Sequence, residues 1–184
     1  MKAFLARTLV ILVSLALLVQ LWIFASLAWW RTHPVDTTMM MRLDYWSDPS
    51  EPIKHEWRDY SQISDYMKHA VVAAEDGKFL QHSGFDWEGM QFALERNKDQ
   101  GKVVAGGSTI SQQLAKNLFP RDTVRNRGAV VRKAKLVTSK FKEWITALKL
   151  EYNYTKEEIA AMYLNTVEFG SNAYGIKSAA HTFF

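Results

Sequence analysis

The chain has 184 residues, a formal net charge of +4 and no cysteine. That length suffices for one domain with a core of its own, and the lack of thiols excludes disulfides and thiolate catalysis. Cysteine absence fits an oxidising compartment without establishing one.

From Thr8 to Trp30 no side chain is charged, and Gln20 is the most polar member. A helix rising about 1.5 Å per residue crosses the roughly 30 Å hydrocarbon core over such a stretch. Residues 8–30 are therefore expected to be a transmembrane anchor. Lys2 and Arg7 precede it, so the positive-inside bias places residues 1–7 in the cytoplasm, although Arg31 narrows the margin. Trp22, Trp29 and Trp30 include two at interfacial-belt depth. A cleaved signal peptide, with Ser26-Leu27-Ala28 as a weak cleavage site, is the competing reading, but signal cores usually run about 7–15 residues. An uncleaved anchor puts everything after Arg31 outside the cytoplasm, which makes nucleic acid a poor partner.

Residues 31–60 carry Pro34, Pro49 and Pro52 and read as a juxtamembrane connector, with Trp46 and Trp57 available to the membrane surface or to packing. Residues 61–184 read as the folded domain. Tyr66 to Asp76 predicts a helix with Met67, Val71 and Ala74 on one face, stopped by Gly77. Trp87 to Arg96 predicts a second, with Asp86 as N-cap. Lys98 to Gly107 reads as a loop. Ile110, Leu114 and Leu118 recur at helical spacing. Lys133 to Tyr152 is the clearest helix: Val137, Phe141, Trp144, Ile145 and Leu148 follow the spacing of a buried stripe. Thr155 and Glu158 form a capping-box signature for a helix from Lys156 to about Leu164. No segment alternates as a strand does, so the fold class is mainly α.

Two polar clusters carry the chemistry. Gly106-Gly107-Ser108-Thr109-Ile110-Ser111-Gln112-Gln113-Leu114-Ala115-Lys116-Asn117 packs hydrogen-bonding side chains at a density a core does not use, since each one buried without a partner costs free energy. A solvated loop entering a helix is the plain reading. A hydrogen-bonding wall with Lys116 one turn past Gln112 is the functional one, suited to a sugar or phosphate. The second cluster is Glu75-Asp76-Gly77-Lys78-Phe79-Leu80-Gln81-His82-Ser83-Gly84-Phe85-Asp86. Glu75 follows Val71-Val72-Ala73-Ala74, and an apolar setting there would make its carboxylate a stronger base. Pattern alone leaves it open between that and a solvated helix-end carboxylate. The five histidines show no zinc spacing, and His82 reads as a strut rather than a ligand. No Gly-x-Ser-x-Gly pattern suggests acyl transfer.

Together these clusters resemble the first two signature motifs of the family 51 peptidoglycan glycosyltransferases, found as monofunctional enzymes and as N-terminal domains of class A penicillin-binding proteins. Lys140-Phe141-Lys142-Glu143-Trp144 and Glu158-Ile159, leading to Tyr163-Leu164-Asn165 and Phe169-Gly170, agree in order, so the resemblance covers roughly residues 60–184. It implies a lysozyme-like helical lobe beside a smaller membrane-proximal one. It further implies polymerisation of lipid II into glycan strands with inversion and release of polyprenyl diphosphate. Carried onto this chain, it makes Glu75 the general base and Glu143 the second functional glutamate. Asp76, Phe79, His82, Gly107, Ser108, Thr109, Gln112, Gln113, Lys116, Asn117, Arg125 and Lys140 become candidate substrate contacts. Lys116, Lys140 and one of Arg121, Arg125 or Arg127 are the candidates for diphosphate.

Between Arg121 and Lys149 lie nine Lys/Arg and two acidic residues, a run that also suits anionic headgroups, though solvated faces look the same. The family's Arg-Lys-x-x-Glu pattern is altered, with Ser139 before Lys140 and an Arg132-Lys133 pair upstream. Glu143 could instead only pair with Lys140. Family members often respond to Mg²⁺ or Mn²⁺, but no dedicated site is visible. Membrane lipid and other cell-wall synthases are the further partners implied. Two alternatives are an inactive anchored module that binds lipid II or partner synthases, and a lysozyme-like hydrolase. The chain stops at His181-Thr182-Phe183-Phe184, before the family's last motif and closing helices, so an incomplete domain is expected, with the Phe141/Trp144/Leu148 face and Phe183-Phe184 short of cover.

Overall fold

A computed structural model describes residues 2–50, 52–119 and 129–184. It divides into two compact units, Met1–Pro34 and Val35–Phe184. The first is helix α1 (Lys2–Trp29) and the turn after it. By length and composition, Ala3–Trp29 is apolar enough to cross a membrane, and it is the one such helix among the described residues. Its side chains Phe4, Leu9, Leu12, Leu17 and Leu21 are exposed, as a lipid-facing helix requires.

The second unit is built from helices α2 (Met39–Ser47), α3 (Asp65–Glu75), α4 (Trp87–Asp99), α5 (Ile110–Leu118), α6 (Ala129–Asn153), α7 (Lys156–Thr166) and α8 (Ile176–Phe183). A two-residue strand β1 (Lys54–His55) pairs in parallel with β2 (Ala173–Tyr174), Lys54 opposite Ala173 and His55 opposite Tyr174. Residues 35–60, expected as a connector, thus supply a helix and a strand of this unit. Trp46 is exposed and Trp57 half-buried. Tyr174, fully buried, donates from its hydroxyl to Asp44 Oδ2 and so ties β2 to α2. Burial and that carboxylate push the phenol's pKa up, which keeps it a donor.

The helix starts obey local chemistry. Thr155 Oγ1 accepts from Glu158 N at 3.2 Å while Glu158 Oε2 accepts from Thr155 N at 2.7 Å, a complete capping box. Asp86 Oδ1 accepts from Gly89 N at 3.0 Å to cap α4. Helix α7 is the centre of the core. From Ile159 to Thr166 every residue is buried, apolar and small polar side chains alike, as befits a helix packed on all sides.

The α6 expectation needs correction. Val137, Phe141 and Leu148 are 70%, 60% and 49% exposed, whereas Thr146, Ala147 and Leu150 are buried. Helices α5 and α7 pack against α6, Trp144 and Ile145 are half-buried, and the rest of the expected stripe is exposed. Phe183 and Phe184 are also exposed.

Asn165 fastens the end of α7. It is fully buried, donates to Arg58 O at 2.7 Å and Ala161 O at 2.8 Å, and accepts from Arg58 N at 2.6 Å. Its carbonyl bonds His55 Nε2 at 2.9 Å and lies so near Gly175 that a Cβ there would collide with it. Gly175, at φ 81°, is therefore required on both steric and conformational grounds. Asn165→Leu would leave both Arg58 backbone groups without their partner. The expected cost is about 2–3 kcal/mol, one to two unsatisfied groups. The midpoint of thermal unfolding should fall by roughly 4–12 °C for a domain of this size; an unchanged midpoint would remove Asn165 as the fastening.

Candidate active site

Asp76 is where the first polar cluster meets the second. It is buried, just after α3, and its carboxylate bonds His82 Nε2 at 2.9 and 3.0 Å. Its Oδ2 also accepts from Ile110 N, the first residue of α5, at 3.0 Å. Gly84 N donates to His82 Nδ1 at 3.1 Å, so Nδ1 is the acceptor nitrogen and Nε2–H the donor to Asp76. His82 is a strut, as its sequence context suggested. Thr109 caps α5 by accepting from Gln112 N at 3.2 Å and donates to Gly84 O at 2.8 Å. Gln112 Nε2 reaches the same carbonyl at 3.3 Å.

A second junction lies at the start of α7. Lys156 Nζ donates to His82 O at 2.6 Å and to Glu151 Oε1 at 2.8 Å, and lies 4.5 Å over the Phe79 ring. Ser111 donates to the same Glu151 oxygen. Four segments therefore converge on one half-buried ion pair. The sequence gives Ser111 a place in the polar cluster but offers no role for Glu151 or Lys156; the signal available was a lysine directly after the Thr155 cap.

The exposed wall of the site runs from one glutamate to the other. Glu75 ends α3 in the open, and Gln113 Nε2 donates to its Oε2 at 2.8 Å and to Ser108 O at 3.4 Å. Lys140 Nζ donates to Ser108 Oγ at 2.9 Å and to Glu143 Oε2 at 2.9 Å. Tyr163 OH donates to Gln113 Oε1 at 3.0 Å from behind. Burial and the Glu75 carboxylate push the Tyr163 phenol's pKa up. Beside Glu143, Trp144 meets Phe85 edge-on, centroids 5.7 Å apart, and Phe85 stacks on Trp87. A cavity of about 550 Å³ lies between α3 and α7, with Val72, Phe79, Ile110 and Tyr163 in its lining, but neither glutamate nor Lys140 lines it. The cavity has charged residues of its own, Asp65, Lys68 and Lys156 among them, so it and the Glu75–Glu143 wall are separate polar surfaces.

Several expectations change in detail. The desolvated setting expected for Glu75 is not formed, since Ala73, Ala74 and Glu75 are all exposed and α3 buries none of its residues. Asp76, Phe79, Thr109 and Gln112 are buried and bond or pack within the frame of the site, Phe79 also lining the cavity. Gly107 packs against α4, where a Cβ would stand 3.0 Å from Met90 Cα. Ser108, Gln113, Lys116, Asn117 and Lys140 keep partial access. Arg125, with Arg121 and Arg127, falls outside the described residues, and so do the side chains of Arg132 and Lys133. Among the described residues no three His, Asp or Glu side chains gather as ligands for a metal.

Residues 43–184 match the family model described as Transglycosylase. The chain belongs to this family. It is 55% identical over 184 residues to the biosynthetic peptidoglycan transglycosylase of Acinetobacter baumannii (strain ACICU), and 56% identical to that of Acinetobacter baylyi. All of this chain and 77% of each relative are covered. The protein of the same name from Azoarcus sp. (strain BH72) is 44% identical, over 98% of this chain and 75% of the relative. A lysozyme-like helical domain is consistent with this membership, and neither the hydrolase nor the inactive-module alternative is favoured by it.

Proposed function

We propose that this transglycosylase lengthens glycan strands from lipid II on the wall between Glu75 and Glu143. The observation that carries the reading is the unbroken run Glu75–Gln113–Ser108–Lys140–Glu143, which sets an exposed carboxylate and a partly exposed cation on one surface, with a second carboxylate behind the cation. Joining two lipid-linked sugars needs a base for the acceptor hydroxyl, cations for the departing diphosphate, and polar groups that orient both sugars. Glu75 takes the proton from the 4-hydroxyl of the acceptor's N-acetylglucosamine. That oxygen bonds C1 of the donor's N-acetylmuramic acid as the C1–O bond to diphosphate breaks, and the configuration at C1 inverts. The electron pair leaves on the polyprenyl diphosphate, against Lys140 and Lys116. Lys116 stands one helical turn beyond Gln113 on α5, and Glu143 keeps Lys140 in place beside Ser108.

Helix α1 anchors the chain in the cytoplasmic membrane, with Lys2 and Arg7 inside and the domain outside, where lipid II presents its sugars. Membrane lipid and the growing strand are then the immediate partners. Other cell-wall synthases are candidates for assembly with it.

Three measurements test these assignments. Glu75→Gln should lower lipid II polymerisation by at least about 10²-fold, the low end for losing general acid–base catalysis. The fold should persist because the side chains are nearly isosteric, and near-normal turnover would discard Glu75 as base. Lys116→Ala should weaken lipid II binding by roughly 1.5–3 kcal/mol, as for hydrogen bonds to charged groups, and leave an uncharged glycan fragment almost unaffected. Equal losses for both ligands would assign Lys116 to folding. Protease added to spheroplasts should digest the domain and spare a small membrane-embedded N-terminal piece; a mature chain beginning near Trp29 would show a signal peptide instead.

A further inference from the structure

We propose that Tyr163 is a positioning residue for Glu75, acting through the side-chain amide of Gln113. This rests on the reading of Glu75 as the base. A glutamine amide has one acceptor end and one donor end, and its value to a carboxylate depends on which end faces it. The Tyr163 hydroxyl donates to Gln113 Oε1 at 3.0 Å, and a donor there fixes Oε1 on its own side. The Nε2 end is thereby turned to Glu75 Oε2, 2.8 Å away, and to Ser108 O. An amide rotated by half a turn would set Oε1 against the carboxylate and lose both of those bonds.

Tyr163 suits this task for three reasons. It belongs to the fully buried stretch of α7, with 3% of its surface exposed, so its hydroxyl is held by packing rather than by solvent. Its ring has no rotamer freedom to spend in that setting, unlike a serine or lysine donor. Burial and the nearby Glu75 carboxylate both oppose loss of its proton, so it remains a donor well above neutral pH. Glu75 itself is exposed at the end of a helix with no buried residue, and the Gln113 amide donates to it. A carboxylate so loosely supported by its own helix needs orientation from outside, and a mobile base loses the effective concentration on which catalysis by proximity depends. Tyr163 does not touch the reacting atoms; it decides how the group that holds the base is turned.

The test uses the full chain in detergent and compares Tyr163→Phe, Gln113→Ala, the double variant and Glu75→Gln. Tyr163→Phe should lower kcat for lipid II polymerisation by roughly 5–30-fold with KM within twofold of the parent, because the amide is freed while the ligand surface is retained. On the Gln113→Ala background the same change should cost nothing further, the signature of two residues acting in series. The Gln113 side-chain amide gives a readout that needs no turnover. In ¹⁵N-resolved NMR its two protons should be displaced from free-amide positions in the parent and move toward them in Tyr163→Phe. An unchanged amide signal, or additive losses in the double variant, would overturn the relay. Full activity of Glu75→Gln would overturn the base assignment alone, since the amide signal reports the Tyr163–Gln113 bond whichever residue takes the proton.

Discussion

The site depends on a buried carboxylate. Asp76 carries its charge inside the domain, a placement that is costly unless partners replace the water it gives up. Here His82 Nε2–H and the backbone N–H of Ile110 do so, and the second is the first amide of α5, where the helix's exposed N–H groups favour an anion. One side chain thereby joins the end of α3, the loop after it and the start of α5. Glu75 is the residue immediately before Asp76, and Ser108 and Gln113 lie on either side of Ile110 in sequence. Whatever fixes Asp76 also fixes the distance between the candidate base and the wall it stands on.

Helix α5 shows how a polar sequence can be a core element. Its buried residues include Ser111 and Gln112 beside Ile110, Leu114 and Leu118. Burying polar groups is tolerable because each finds a partner across an interface: Ser111 on Glu151 of α6, and Gln112 on Gly84 of the loop. The density of hydrogen-bonding side chains that first suggested a ligand wall thus has two uses on one helix. One face binds the domain together; the other, through Gln113 and on toward Lys116, meets the site. The Gln112 Oε1 atom is buried without a protein partner, which marks the one place on this helix where the accounting does not close.

Much of this was legible in the residues because short-range chemistry dictates it. The Thr155/Glu158 capping box, Asp86 as an N-cap and His82 as a strut all follow from side chains bonding within a few positions of themselves. What failed did so where tertiary contact decides. The spacing of Val137, Phe141 and Leu148 is a true helical stripe, yet its helix buries Thr146, Ala147 and Leu150, since periodicity reports which residues share a face and not which face meets a neighbour. Glu75 was expected in an apolar setting from the four residues before it, but α3 leaves them partly or fully exposed. Residues 35–60 looked like linker because prolines punctuate them. Their strand is only two residues long and its partner lies more than a hundred positions away, beyond the reach of any local pattern.

Pairing with Glu143 does not use up the Lys140 cation, as its donor count shows. An ammonium has three N–H groups, and Ser108 Oγ and Glu143 Oε2 take two of them. The lysine side chain is 40% exposed and the glutamate 12%, so the carboxylate sits behind and the ammonium in front. An anionic oxygen can approach the third N–H with the pair intact, and meets a cation whose position is already fixed rather than one that must give up its rotamer freedom on binding. An order with Glu143 behind, Lys140 in front and solvent beyond favours an anionic group over a neutral one.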